Sequence, residues 1–433
     1  MYVAVIGLGF VGLTLALSLA EKGVRVAGVE IKEDSFKKLS KGIPTLNENG
    51  IERFLERNLG KNFQVYEKLE DLEEKPQFYV LCVATPIHNG SLNMDHLIRA
   101  TRSIGQNMTG DELVIVRSTC PVGTTRQKVV PTLKEELEKK GIKKDINIAF
   151  APERTAEGVA LRELNELPQI IGGINSECSF RASELFRNLT PTIIQVSSLE
   201  TAEMIKLIDN SFRDVQFAYA NEIMLLCEQV GVDTHECIKN SNIHYARNNI
   251  ALPSPGVGGP CLSKDPYLLI GKEEILKLHP NNQSVILAGR KINEIIPKVL
   301  AEKIKKLVPE NSKIFVMGFA FKGEPETNDI RNSSTLDLVN NLIGTFEIFG
   351  HDSVVEDSEL QKLNVKPSNI EEGFINADCV VIMNNHRNYR NLDMIKLLKK
   401  SSKPCVFIDC WRLYDKKIFE KNESIIYSGI GIV

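Results

Sequence analysis

Short apolar runs, separated by glycine-rich or polar loops, recur at both ends of the chain. Residues 2–6, 24–29, 78–83, 113–116 and 146–150 are largely apolar instead of alternating, the pattern of strands buried on both faces of a parallel sheet. Residues 13–22 predict a helix that stops at Gly23. Late in the chain the same pattern returns, with strands expected at 313–317, 347–349, 379–383 and 406–408 and a helix over 335–343. In between, residues 198–230 hold neither proline nor glycine. Met204, Ile208, Phe212, Val215, Tyr219, Ile223 and Leu226 recur there at three- and four-residue spacing. This predicts one long amphipathic helix over 198–231. Lys206 and Asn210 share another face of it, and Asn221, about three turns on, returns to nearly the same face. Taken alone, that stripe reads as a solvated face. Further helices are expected over 283–307, interrupted at Pro297.

The first strand runs into Gly7-Leu8-Gly9-Phe10-Val11-Gly12, a GxGxxG that opens a helix. Gly7 suits a tight turn, Gly9 lets a pyrophosphate reach the backbone, and Gly12 lets helix and strand pack closely. The helix N-terminus then offers free N–H groups and a positive dipole end to the phosphates. Glu30 follows the second strand and is placed for the adenosine ribose hydroxyls, which favours NAD over NADP. In open α/β sheets ligands bind beyond the carboxyl ends of the strands. Thr85, Thr119, Glu153 and Glu157 follow later strands and are candidates on that ground.

Composition narrows the class without choosing the chemistry. The 433 residues are 42% hydrophobic and 25% charged with a net charge of −3, ordinary values for a globular protein of two or three domains. Nothing there points to nucleic acid or an anionic membrane. No apolar run approaches the roughly 18 residues of a membrane span. The nine cysteines form no CxxC pair, so neither a zinc site nor a disulfide framework is expected. With no secretory signal, a cytoplasmic location is expected.

The densest chemistry is in GVGGPCLSKD at 256–265. Cys261, Lys264 and Asp265 offer a thiol, an ammonium and a carboxylate behind glycines that permit close approach to a ligand. A neighbouring cation lowers a thiol's pKa, so Cys261 is either an activated nucleophile or a small buried hydrophobe. Arg247, upstream, is a candidate phosphate ligand. His244 has no partner at helical spacing and reads as structural.

In order along the chain stand GLGFVG with Glu30, ATP at 84–86, STCPVGTT at 118–125, PERTAEG at 152–158 and KLIDNSF at 206–212. GVGGPCLSKD and FKGEPETNDIRNSS at 321–334 complete the series. Together they resemble the UDP-glucose/GDP-mannose dehydrogenase family of nucleotide-sugar 6-dehydrogenases. The resemblance implies an α/β fold with an NAD-binding Rossmann domain over 1–197, a central helical dimerisation and catalytic domain over 198–308, and a Rossmann-like UDP-sugar-binding domain over 309–433. It implies a homodimer or higher oligomer and oxidation of a sugar primary alcohol to the acid with two NAD. By the same resemblance, Cys261 is the nucleophile that forms a thioester, and Lys206 and Asn210 stabilise an oxyanion. Asp265 and Thr119 would position water, with Glu157 near the hydrolysis step. Gly7, Gly9, Phe10, Val11, Gly12, Glu30, Thr85, Thr119, Lys264 and Arg331 would contact NAD. Glu153, Arg247, Gly258 and Lys322 would contact the nucleotide-sugar, Arg247 in the neighbouring subunit's site. The spacing from Arg247 to Cys261 is similar to the UDP-N-acetylhexosamine branch, such as UDP-N-acetylmannosamine dehydrogenases. That branch usually has His where this chain has Pro260, and the UDP-glucose branch keeps a lysine corresponding to Lys264. UDP-glucose and GDP-mannose are therefore the alternative substrates. A single-hydride β-hydroxyacid dehydrogenase would need neither Cys261 nor the last third of the chain.

Overall fold

The computed structural model describes residues 1–88, 91–271 and 283–432. Two compact units are present, Met1–Asp209 and Asn210–Val433, and the boundary falls inside the helix Leu199–Val230.

The first unit is built on ten strands: β1 Tyr2–Ile6, β2 Arg25–Val29, β3 Phe63–Tyr66, β4 Phe78–Leu81, β5 Ile87–His88, β6 Ser91–Leu92, β7 Leu113–Val116, β8 Ile148–Phe150, β9 Gln169–Gly173 and β10 Ile193–Val196. Eight of them form one sheet in the order β10-β9-β8-β7-β4-β1-β2-β3, while β5 and β6 pair separately. From β3 to β8 the strands are parallel, and β9 meets β8 antiparallel. The order reverses between β1 and β4, the switch point at which a doubly wound sheet opens a crevice for ligands. Val3 and Val5 of β1 pack into one core with Leu13 and Leu17, and Ala4 and Ile6 into another with Leu97 and Ile104. Fully burying such a side chain is worth about 1.5–3 kcal/mol. A strand covered on both faces gains from successive residues, hence a continuous apolar run. β3 and β10 are buried on one face at most and β9 ends in two glycines, so none of them stands out as an apolar run in the sequence.

The second unit carries β11 Lys313–Met317, β12 Glu347–His351, β13 Lys366–Pro367, β14 Cys379–Ile382, β15 Cys405–Asp409 and β16 Ile425–Gly429. They form a parallel sheet ordered β13-β12-β11-β14-β15-β16, again a Rossmann-like order. Ile314 and Val316 face a core with Ile304 and Leu338, while Phe315 and Met317 face Phe374 and Leu397.

Two expectations are corrected here. Pro297 does not interrupt its helix, which runs unbroken over Val285–Leu307. Pro297 has no N–H for the Asn293 carbonyl four residues back. Gly256, at φ +97°, packs at that place, and a Cβ on it would lie 3.0 Å from the Asn293 oxygen. The second correction concerns the long helix. Its polar stripe is not solvated, since Lys206 and Asn210 are 7% exposed and Asn221 is fully buried. Its apolar stripe faces outward instead, with Phe212 61% and Leu226 52% exposed.

Candidate active site

In the first unit, Gly9 precedes the helix Phe10–Glu21 without any side-chain cap, and no acidic residue occupies the first turn. A Cβ on Gly9 would meet nothing within 4 Å, whereas one on Gly12 would lie 1.8 Å from the Gly7 carbonyl oxygen. The loop is therefore closed against its own backbone and open above Gly9, with half-buried Phe10 and Val11 in the first turn. Glu30 Oε2 accepts from Leu8 N–H at 3.0 Å and Oε1 from Lys32 N–H at 2.9 Å. Each oxygen keeps a lone pair for a hydroxyl. These residues fit NAD, whose pyrophosphate needs free amides and whose ribose needs an acceptor.

At the ends of β4 and β7, Thr85 Oγ1 donates to the Thr119 carbonyl at 2.6 Å, bringing two sequence candidates together. Glu153 is engaged within the protein. Its Oε2 accepts from Arg117 Nε at 3.0 Å and Nη2 at 2.5 Å. Its Oε1 accepts from the amides of Arg154 and Thr155 at 2.7 and 2.8 Å. Burial works to raise its pKa, but the Arg117 guanidinium and these bonds outweigh it and hold the carboxyl below the ordinary range. Glu153 is thus the anchor of the loop that bears half-buried Glu157. Buried Glu48 fixes the far end of that loop by accepting from Gly158 and Ala160 amides at 2.6 and 2.8 Å. The 118–125 loop is tied to the long helix by Glu203, which accepts from Gly123 and Thr125 amides at 2.5 and 2.9 Å. Burial raises the Glu203 pKa. One turn on, Lys206 is buried and has no ion pair or hydrogen bond among the described residues. Its ammonium therefore has donors to offer a ligand oxygen.

In the second unit, the Cys261 carbonyl accepts the amides of Lys264 and Asp265 at 3.0 and 2.9 Å. Thiol and carboxylate therefore share one turn, at the start of the helix Asp265–Ile270. Cys261 is exposed, whereas Asp265 is fully buried and accepts at Oδ2 from Asn210 Nδ2 at 2.5 Å. Asn210 keeps a second amide hydrogen for another acceptor. Lys264 Nζ lies 4.0 Å from Asp265 Oδ1, at the limit of an ion pair. The glycines before Cys261 press on protein. A Cβ on Gly258 would lie 2.1 Å from the Asn332 carbonyl oxygen, and one on Gly259 2.7 Å from the Phe321 ring. Gly259 N–H donates to the Asn332 carbonyl at 3.1 Å. The Cys261 loop is thereby seated on the 321–334 loop, and the need for glycine at 258 has an internal cause. Half-buried Lys322 lies 5.5 Å from the Phe321 ring centroid. Arg331 chelates Asp329, with Nε 2.9 Å from both carboxylate oxygens. Arg247 stacks on Tyr245 at 4.5 Å. Together with Val215 and Tyr219 it lines an open cavity of about 260 Å³ on the outward side of the long helix.

Models of three domains match successive segments: the NAD binding domain of the UDP-glucose/GDP-mannose dehydrogenase family over residues 1–190, its central domain over 200–295, and its UDP binding domain over 315–416. The chain belongs to this family. UDP-N-acetyl-D-mannosamine dehydrogenase of Pyrococcus horikoshii is 34% identical, over 100% of this chain and 99% of its own. The enzyme of the same name from Methanocaldococcus jannaschii is 33% identical, over 98% and 95%. A solved structure of the Pyrococcus horikoshii UDP-N-acetyl-mannosamine dehydrogenase superposes with a TM-score of 0.88 at 31% identity, over 100% and 99% of the two chains. As a member of this family the chain is an NAD-dependent nucleotide-sugar dehydrogenase with a UDP-sugar substrate.

Several residues that hold these loops were missed in the sequence: Glu48, Arg117 and Glu203 in the first unit, Asp214 and Arg290 in the second. All are buried; Glu48, Arg117, Glu203 and Arg290 bond segments remote in the chain, and Asp214 holds Arg290 and Asn293. Glu203 and Asp214 alone carried a signal, since they stand one turn before Lys206 and one turn beyond Asn210 on the polar stripe. Among the described residues no cluster of His, Cys, Asp or Glu has the makings of a metal site, and no helix is long and apolar enough to cross a membrane.

Proposed function

We propose that the chain oxidises the 6-hydroxymethyl group of a UDP-N-acetylhexosamine, UDP-N-acetylmannosamine first, to the uronic acid through a thioester on Cys261. One observation carries the reading: exposed Cys261 and buried Asp265 share a turn, and Asp265 is held by Asn210. NAD, when bound, accepts a hydride at each of two oxidations. After the first, the Cys261 thiolate adds to the aldehyde carbon, giving a thiohemiacetal. Loss of the second hydride gives the thioester, and water cleaves it to acid and thiol. The balance is alcohol, two NAD⁺ and water to carboxylate, two NADH and three protons. Lys206 and the free Asn210 amide hydrogen are assigned to the developing oxyanion, where fixed donors contribute most. Asp265, with Thr119, is assigned to hold the hydrolytic water, and Asp265 to take its proton. Glu157 is assigned to the same step, and Glu153 to holding its loop. Lys322 is assigned to the nucleotide-sugar, and Lys264 and Arg331 to NAD.

The names of the relatives support the N-acetylmannosamine substrate, and Lys264 keeps UDP-glucose as the alternative. The outward apolar stripe supports a homodimer, because exposed apolar patches mark protein contacts. Arg247, beside that stripe, is assigned to the partner's sugar-phosphate. Functional domains are placed at 1–197, 198–308 and 309–433, in the cytoplasm, serving surface polysaccharide or glycan precursor synthesis. The test is NADH formation against a panel of UDP- and GDP-sugars, with product mass, for wild type and Cys261→Ser. Two NADH per acid from UDP-N-acetylmannosamine, and no acid from the variant, are expected. Undiminished acid production by Cys261→Ser would remove the thioester.

A further inference from the structure

Arg290, on the helix Val285–Leu307, is 1% exposed. A guanidinium carries five N–H donors in a rigid planar fork. Here Nη1 donates to Asp214 Oδ1 at 2.7 Å and to the Leu262 carbonyl at 3.2 Å, and Nη2 to the Val257 carbonyl at 2.7 Å. Nε stands 3.2 Å from Glu294 Oε1. One buried cation thus grips the loop on both sides of Cys261, at a carbonyl four residues before it and at the next one after it. Its neighbours are held as firmly. Asn293 Nδ2 donates to the Asp214 carbonyl and to Oδ1, both at 2.9 Å. Asn293 Oδ1 accepts from Asn221 at 2.9 Å, and Asn221 Oδ1 accepts the Ser254 amide at 2.9 Å. Ser254 Oγ closes the chain on the Gly256 carbonyl at 3.1 Å.

We propose that Arg290 is the positioning residue of the nucleophile, setting the place of the Cys261 thiol through the Val257 and Leu262 carbonyls. The loop needs such a clamp. Gly256 and Gly259 have positive φ and Gly258 has no side chain to pack, so the segment has unusual backbone freedom to lose. Attack requires reacting atoms within about 3–3.5 Å, and a displacement near 1 Å can lower a rate about 100-fold. The proposal rests on Cys261 being the nucleophile. Asp214 is the fixed counter-charge that keeps the fork oriented and buried. A lysine at 290 keeps the charge but has a single nitrogen, which does not reproduce the fork.

The experiment compares wild type, Arg290→Lys, Asn221→Ala and Cys261→Ser for NADH turnover with UDP-N-acetylmannosamine, each normalised to its folded fraction by near-ultraviolet circular dichroism. The rate of iodoacetamide alkylation at Cys261 is followed by peptide mass. For Arg290→Lys the expectation is a kcat lower by about 100-fold, an altered alkylation rate and an unchanged KM for NAD. Asn221→Ala, which releases only the Ser254 end, should move both readouts the same way by less, and it decides the matter if Arg290→Lys does not fold. Folded Arg290→Lys with wild-type kcat and alkylation rate overturns the proposal, as does a loss that merely tracks the unfolded fraction. Full turnover by Cys261→Ser would instead overturn the nucleophile, a result independent of what Arg290→Lys does.

Discussion

Replacing Lys206 by Met should make the protein more stable and nearly inactive at once. Lys206 is 7% exposed and has no ion pair or hydrogen bond among the described residues, so the ligand-free fold packs protein around a cationic side chain and gives it no polar partner in return. Met keeps most of the stem's length and packing while removing the charge. A polar group buried without a partner costs about 1–3 kcal/mol in proteins, an upper bound here because the ammonium keeps some contact with water. In a unit of this size, each kcal/mol moves the melting temperature by about 2–4 °C. The gain expected for Lys206→Met is therefore positive and at most roughly 12 °C, read by calorimetry without ligands. The activity loss follows from the other half of the argument. Removing one fixed oxyanion donor costs about 100- to 1,000-fold in kcat. A variant that melts lower and retains its turnover would refute both the desolvation argument and the role of the ammonium.

Two further outcomes follow from the burial pattern. His235 is 8% exposed, and burial, with Arg412 and Lys239 nearby, pushes its pKa down from 6.5 to about 4. The unfolded chain then binds more protons between those values, so His235 contributes stability above about pH 6.5 that is lost as pH falls toward 4. His235→Gln should flatten the fall of melting temperature over that window, and an unchanged slope would exclude the residue as its source. Phe212, 61% exposed on the outward stripe of the long helix, should break the proposed homodimer when changed to Asp. Sedimentation velocity should then give a monomer, and a wild-type sedimentation coefficient would move the interface elsewhere.

Why some features were legible in the sequence and others were not has a physical basis. The doubly buried strands and the GxGxxG were plain, because a parallel sheet needs continuous apolar runs and the glycine loop excludes side chains at 7 and 12. The long helix was legible in extent, but the burial of its polar stripe was not. Periodicity assigns residues to faces, and the rule that the apolar face is inside fails where the inward face must hold Lys206, Asn210 and Asp214. Glu153 was singled out because it follows a strand, and in the fold a buried Arg117 36 residues away uses it to fix a loop. Gly258 was singled out with the glycines before Cys261, and in the fold it packs against Asn332. In both cases the deciding partner is distant in the chain and carries no periodic signal.

The central claim, covalent catalysis by Cys261, is tested most directly by trapping. Asp265→Asn removes the proton acceptor for hydrolysis and keeps an acceptor oxygen for Asn210. Incubated with UDP-N-acetylmannosamine and NAD, then acid-quenched and mapped by peptide mass spectrometry, it should carry the uronyl adduct on the peptide containing Cys261, released by hydroxylamine. An adduct-free Cys261 in a variant that has nevertheless formed NADH from the sugar would contradict the account.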